Sequence, residues 1–260
     1  MQSVGVHDRA VLAATGLTGD LLRTASYYDR TAAAYDVQID GLPANRAMRD
    51  VFRRRVAMLA GAEGTILDFG CGTGTDVAWY AEHGYRTVAY DISSAMLGIL
   101  RVRCAEAIAE GAVIPVVPGD FSDLEATLQK MPPLAAIAGD FAVLNHVEDL
   151  APLFASLSHY LAPGAPLIAS VLNPWYRGDM RQGWWWRGLL GSLRSGAIVL
   201  RGDVTTYRHF LQTIRRMLPS TLTWADTARC HASGWTSIGR AMPGVTLSEQ
   251  FLFIVLVRNP

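Results

Sequence analysis

Apolar positions along this chain switch repeatedly between helical and strand spacing. Met48, Val51, Phe52, Val56 and Leu59 recur at helical spacing and predict an amphipathic helix over 46–60, closed by Gly61 and Gly64. Thr65 to Phe69 is a short apolar run of strand length. The glycines Gly70, Gly72 and Gly74 follow, then a helix from Thr75 to His83. Arg86 to Tyr90 predicts a second strand ending at Asp91. Ser93 or Ser94 caps the next helix, with Leu97, Leu100, Cys104 and Ile108 on one face. Val113 to Val117 predicts strand three, ending at Gly119 and Asp120, and residues 122–130 a short helix. Ala135 to Leu144 predicts strand four, ending at Asn145 and His146. Leu150, Leu153, Phe154, Leu157 and Leu161 mark a helix that Pro163 and Gly164 stop, and Pro166 to Leu172 predicts strand five. Strand–helix units at this rhythm predict an α/β fold: a parallel sheet with helices on both faces.

Residues 173–206 break the rhythm. They hold Trp175, Trp184, Trp185 and Trp186, several glycines and many arginines, and read as a cap inserted after strand five. Tyr207, Phe210, Leu211, Ile214, Met217 and Leu218 then predict one helix. Thr221 to Cys230 predicts a sixth strand, 231–246 a loop, and Glu249 to Arg258 the last strand. With no internal repeat, residues 1–260 read as a single domain with a helical lead-in over 1–60 and a cap over 173–206.

Composition narrows the function classes. Half of the 260 residues are hydrophobic and the formal net charge is zero, which suits a packed core and argues against a globally basic nucleic-acid binder. The charge is not evenly spread. Residues 177–216 hold eight arginines against Asp179 and Asp203, a net +6. Such a cap suits an aromatic or anionic small molecule or a membrane surface; alternatively its tryptophans pack on the sheet while its arginines face water. Three scattered cysteines exclude a disulfide framework and a zinc site, and no carboxylate or histidine cluster has metal-ligand spacing. The longest apolar run, Phe251 to Val257, is too short to span a bilayer, so stable membrane insertion is not expected and a cytoplasmic location is.

The chemistry concentrates around the glycine cluster. Glycine suits a tight turn after a strand because a Cβ would clash with a ligand lying on the backbone. A dinucleotide site wants G-x-G-x-x-G; here the spacing is G-x-G-x-G, with Asp68 two residues before Gly70. This resembles the first motif of class I S-adenosylmethionine (SAM)-dependent methyltransferases of the small-molecule type. The resemblance covers about residues 26–172 and the final strand. It implies a Rossmann-like sheet of order 3-2-1-4-5-7-6 with the last strand antiparallel, SAM as cofactor, S-adenosylhomocysteine as product and a small-molecule substrate.

The resemblance also implies site residues. Asp68, Gly70, Cys71 and Gly72 form the cofactor loop, Asp91 takes the ribose hydroxyls, and Asp120 takes the adenine amino group. Phe121 flanks the ring opposite Ile92 and Met96, and Asn145 touches the methionine part. Tyr28 or Tyr35, in an aromatic–Asp lead-in, closes over the methionine end, where Arg46 is either a solvated helix residue or a partner for the carboxylate. His146 is the candidate general base, and Trp175, Tyr207 and His209 are candidate acceptor contacts from the cap. Packing and capping roles stay open for each of these residues. RNA or protein methylation and a non-catalytic SAM-binding role also stay open. The acceptor and the oligomeric state are not legible.

Overall fold

The computed structural model describes residues 19–116, 121–239 and 246–260, with all side chains but those of Leu193 and Arg194. Asp120, the expected adenine partner, lies outside the described residues, as does the start of the lead-in.

Ten strands run in chain order: β1 Thr65–Phe69, β2 Arg86–Tyr90, β3 Val113–Pro115, β4 Ala136–Gly139, β5 Pro166–Leu172, β6 Ala197–Arg201, β7 Thr205–His209, β8 Leu222–His231, β9 Gly234–Ser237 and β10 Phe251–Arg258. Eight form one sheet of order β3-β2-β1-β4-β5-β10-β8-β9; β6 and β7 pair separately. The first five are parallel neighbours, and β10 runs antiparallel to both β5 and β8. The predicted seven strands therefore lie in the expected order. One strand is added at the edge, where Gly234–Ser237 pairs with β8 inside the stretch predicted as loop.

Period-two alternation sends successive residues of each strand to opposite faces. Leu67, Val88, Ile137, Leu167 and Ile254 pack with Leu124, Phe154, Leu157 and Ile214 on one face. Ile66, Ala136, Ile168 and Phe253 pack with Phe52, Val56 and Tyr80 on the other. The helix predicted over 46–60 starts earlier, at Pro43, because proline is well placed in a first helical turn. The helix after Asp91 breaks at Cys104 into Ser94–Arg103 and Ala105–Ala109.

Three predictions near the site are corrected. Strand four stops at Gly139, because Phe141 and Ala142 take positive φ (47° and 64°) and turn the chain into a short 3-10 helix, Val143–His146. The insertion runs on to His209, as two helices, Arg177–Met180 and Gly183–Ser195, and the β6–β7 hairpin. Tyr207 and His209 are therefore strand residues, and the helix begins only at Leu211. The hairpin's β-branched Thr205 and Thr206 favour strand, and the helical spacing of Tyr207 with Phe210 and Leu211 spans the junction by coincidence.

Part of the cap's Arg and Trp content is packing. Trp185 is 1% exposed and its indole N–H donates to the Pro174 carbonyl at 2.7 Å. The buried Arg208 guanidinium pairs with Asp179 at 3.0 Å and lies over the Trp184 ring.

Asn145 ties this cap to the main sheet. Its side chain is fully buried; Nδ2 donates to the Tyr207 carbonyl at 2.6 Å and Oδ1 accepts the Leu172 N–H at 2.9 Å. Leucine at 145 would strand both backbone groups, so Asn145→Leu is expected to lower unfolding free energy by about 2–4 kcal/mol. A urea titration checks this; a loss within error of zero would mean the two bonds do not anchor the cap.

Candidate functional site

The glycine loop turns sharply because its glycines adopt conformations that side chains resist. Gly70 has φ 79°, and a Cβ there would meet Val143 Cγ2 at 2.3 Å. The Gly70 and Cys71 N–H groups both donate to the Tyr90 carbonyl, at 2.8 and 3.0 Å, so the loop is stapled to the end of β2. Asp91 continues that junction. Its Oδ2 accepts the Gly72 N–H at 2.9 Å and its Oδ1 the Ser93 N–H at 2.8 Å. Each oxygen keeps a further lone pair, and the residue lines the cavity beside the loop. Burial raises the Asp91 pKa to about 6, against the pull of the two N–H donors.

That cavity has a volume of about 410 Å³ and lies at the carboxyl ends of the parallel strands, where open α/β sheets bind ligands. On its β2–β3 side the wall carries Asp91, Ile92, Met96 and Phe121. Beyond β4 it carries Phe141, Val143 and His146, and the helix Gly19–Asp40 adds Leu21, Thr24, Tyr28 and Tyr35. This helix is pinned across the mouth. Asp29 accepts the Ser93 hydroxyl at 2.7 Å and the Ala95 N–H at 3.0 Å, and Tyr207 donates to Asp20 at 2.6 Å.

The Tyr28 hydroxyl meets His146 Nε2 at 3.2 Å, while His146 Nδ1 faces the Thr205 carbonyl at 3.4 Å. A carbonyl only accepts, so Nδ1 carries the proton, Nε2 keeps its lone pair, and Tyr28 donates. Burial pushes the His146 pKa down, only partly offset by the Thr205 carbonyl, so the ring stays neutral at pH 7. Burial, and then the Asp91 charge, push the Tyr28 hydroxyl up to about 12.

A smaller space on the other side of the loop is bounded by Tyr35, Arg49, Asp68, Cys71, Asp76 and Asp140. Arg49 is 8% exposed, pairs with Asp76 and, through Nε, with Asp40 at 3.1 Å. Burial opposes its charge, but the carboxylates of Asp76, Asp140 and Asp40 outweigh that and raise its pKa. Burial first, then neighbouring carboxylates, pushes Asp68 well up; Asp76 is also raised by burial, against the attraction of Arg49.

The structure thus gathers Tyr28, Gly70, Gly72, Asp91, Ile92, Met96, Phe121 and His146 around one cavity, with Asp68 and Cys71 behind its loop. Four expectations are corrected. Asn145 faces away from the cavity because the sheet and cap use both ends of its amide. Tyr207 and His209 do not line it: Tyr207 bonds to Asp20, and the buried His209 faces the Val147 carbonyl at 2.9 Å. Trp175 borders a separate space of about 770 Å³ with Phe210, Leu211 and Arg216. Arg46 takes the solvated helix position also open to it, exposed and donating to the Asp40 carbonyl; Arg49 faces the loop instead.

Arg49 and Asp140 were missed, although both had a signal. Arg49 lies at i−3 and i−7 from Phe52 and Val56, on the inward side of its helix. Asp140 is a carboxylate inside a run otherwise read as a buried apolar strand.

A family model described as a methyltransferase domain matches residues 44–200. Malonyl-(acyl-carrier protein) O-methyltransferase of Serratia marcescens is 28% identical over 204 residues, covering 75% of this chain and 71% of that protein. The solved structure of the N-methyltransferase NodS from Bradyrhizobium japonicum, in complex with S-adenosylhomocysteine, superposes with a TM-score of 0.59. It is 18% identical and covers 92% of this chain and 100% of that chain. The Burkholderia thailandensis 1,6-didemethyltoxoflavin-N1-methyltransferase, with its namesake compound and S-adenosylhomocysteine bound, gives a TM-score of 0.59 at 16% identity, covering 100% and 93%. At such identities the two structures show a shared fold.

Removing the buried cation tests the electrostatics of the site. Arg49→Met is expected to destabilise the protein by about 3–5 kcal/mol, because it leaves buried carboxyls uncompensated. Carboxyls with raised pKa bind protons in the folded state that the unfolded state has lost, so stability falls as pH rises through their folded values. The gap in Tm between Arg49→Met and wild type is therefore expected to widen from pH 5 to pH 8. A gap independent of pH would refute this.

Proposed function

The chain belongs to the methyltransferase domain family, and from that premise we propose that it moves a methyl group from SAM to an O, N or C atom of a small molecule. The observation that carries this reading is the single cavity that joins the glycine loop and Asp91 to the Tyr28–His146 pair. Its residues fit the donor. Asp91 retains lone pairs for two ribose hydroxyls, Ile92 and Phe121 offer apolar surfaces for an adenine, and the Arg49 guanidinium suits a methionine carboxylate.

Bound SAM supplies an electrophilic methyl group on a positively charged sulfur. The protein's part is alignment, exclusion of water and handling of one proton. Tyr28 and Tyr35, on the helix across the mouth, hold the reacting end of the cavity away from solvent. For an acceptor that must lose a proton, His146 Nε2 is the base once that acceptor takes the place of the Tyr28 hydroxyl on it: the ring is neutral and lies in the wall, and its other nitrogen is oriented by Thr205. A small acceptor is supported by the pinning of that helix at Asp20, Tyr28 and Asp29. A cytoplasmic setting is supported by three buried free cysteines. Among the described residues no helix is long and apolar enough to cross a membrane.

Two outcomes test the reading. Asp91→Ala is expected to weaken SAM binding about tenfold or more in calorimetry, with an unchanged circular dichroism spectrum. Wild-type affinity would remove Asp91 from the donor site. His146→Gln is expected to lower kcat by about 10²–10⁴-fold on an acceptor that gives up a proton, with SAM affinity near wild type. At saturating SAM, the wild-type kcat is expected to persist below pH 6.5 and to fail only where the buried imidazole finally protonates; an unchanged kcat in the variant would remove His146 as base.

A further inference from the structure

Asp140 is the buried charge that neither the fold nor the methyl-transfer reading uses. It follows β4, at the turn where Phe141 and Ala142 take positive φ. A bulky residue such as phenylalanine rarely adopts that conformation, and such strain clusters at functional sites. The turn places the Asp140 side chain, 9% exposed, in the wall of both the main cavity and the smaller space behind the loop. Oδ1 accepts the Phe141 N–H at 2.7 Å and the Ser170 hydroxyl acts on the carboxylate, but Oδ2 is buried with no hydrogen bond of its own. A buried carboxylate oxygen left unpartnered is costly unless something else answers it.

Charge counting points the same way. Asp68, Asp76 and Asp140 bound the smaller space together with the single guanidinium of Arg49. Three ionised carboxylates against one cation would leave a buried excess of negative charge, so the free protein holds protons there. The groups that bear on Asp140 balance toward protonation. Burial and the Asp76 carboxylate push its pKa up to about 7, opposed by Arg49, the Phe141 N–H and the Ser170 hydroxyl. Asp68 on β1, Tyr35 on the helix across the mouth, Tyr80 beside Asp76 and Cys230 on β8 are the other titratable groups that feel its charge.

Resting on the methyltransferase reading above, we propose that Asp140 is the counter-charge of the methyl donor, and that it loses a proton to solvent when the cationic donor binds. The product has a neutral sulfur in place of the sulfonium, so it compensates the carboxylate less and Asp140 regains its proton. Donor and product are then distinguished by charge at one side chain, and donor affinity is linked to pH. Asp140 is thus a specificity residue for the charged form of the cofactor.

Isothermal titration calorimetry of the whole chain with SAM, in phosphate and in Tris at pH 7, reads the proton directly. At this pH Asp91, at about 6, is already largely ionised. Release of a substantial fraction of one proton per SAM bound is expected, and less for S-adenosylhomocysteine. The dissociation constant for SAM is expected to rise by about tenfold from pH 8 to pH 6. Asp140→Asn is expected to bind SAM more weakly and to abolish the proton release at pH 7. If that variant fails to fold, infrared difference spectroscopy of the wild type gives the same answer, through loss of a protonated-carboxyl band on SAM binding. SAM binding with no proton release, or with release unchanged in Asp140→Asn, overturns this proposal alone. No SAM binding by the wild type overturns the methyltransferase reading and this proposal together.

Discussion

The guanidinium of Arg49 makes the architecture around the glycine loop tolerable. Asp68, Asp76 and Asp140 come from β1, the helix Thr75–Glu82 and the end of β4, and all three are buried. In a medium of low effective dielectric their mutual repulsion would oppose the packing of these elements. Arg49 enters from the helix Pro43–Ala60, pairs with Asp76, and lies 4.6 Å over the Phe141 ring. The residual negative charge has a functional reading, because a protein that binds a cationic donor needs a surplus of carboxylate where that cation lies.

The rest of the site is arranged around the same loop. Gly70 and Cys71 are stapled to Tyr90, and Asp91 takes the Gly72 N–H, so the loop and the end of β2 form one hydrogen-bonded unit. The helix Gly19–Asp40 closes over this unit through Asp29, and over the far wall through Tyr28 and His146. One element therefore bridges the candidate donor-binding residues and the candidate base. Its seat depends on the cap as well, since Tyr207 of β7 holds Asp20. The inserted segment thereby shapes the cavity indirectly, through Asn145 and Tyr207, without lining it.

Much of this was legible in the sequence because alternation and glycine spacing are local signals. The strand–turn–helix order around Gly70, the aspartate ending β2 and the strand order implied by the class I methyltransferase resemblance are borne out by the fold, and the family match bears out the resemblance itself. What failed was not local. Tyr207 to Leu218 has helical spacing, yet its first residues join a hairpin whose partner, Ala197–Arg201, lies in the insertion. Asn145 ends an apolar run and looked like a ligand contact, but its partners Leu172 and Tyr207 are distant in sequence. Arg46 and Arg49 differ only in the direction they leave one helix, and only Arg49 is on the side that faces the loop.

The most direct measurement is the crystal structure of the complex with S-adenosylhomocysteine. The adenine is expected between Ile92 and Phe121, the ribose hydroxyls on Asp91, the amino-acid end beside Arg49, and the sulfur within reach of the Asp140 carboxylate. The sulfur should point toward Tyr28 and His146. A ligand seated instead in the space beside Trp175, or one whose ribose makes no contact with Asp91, would contradict it.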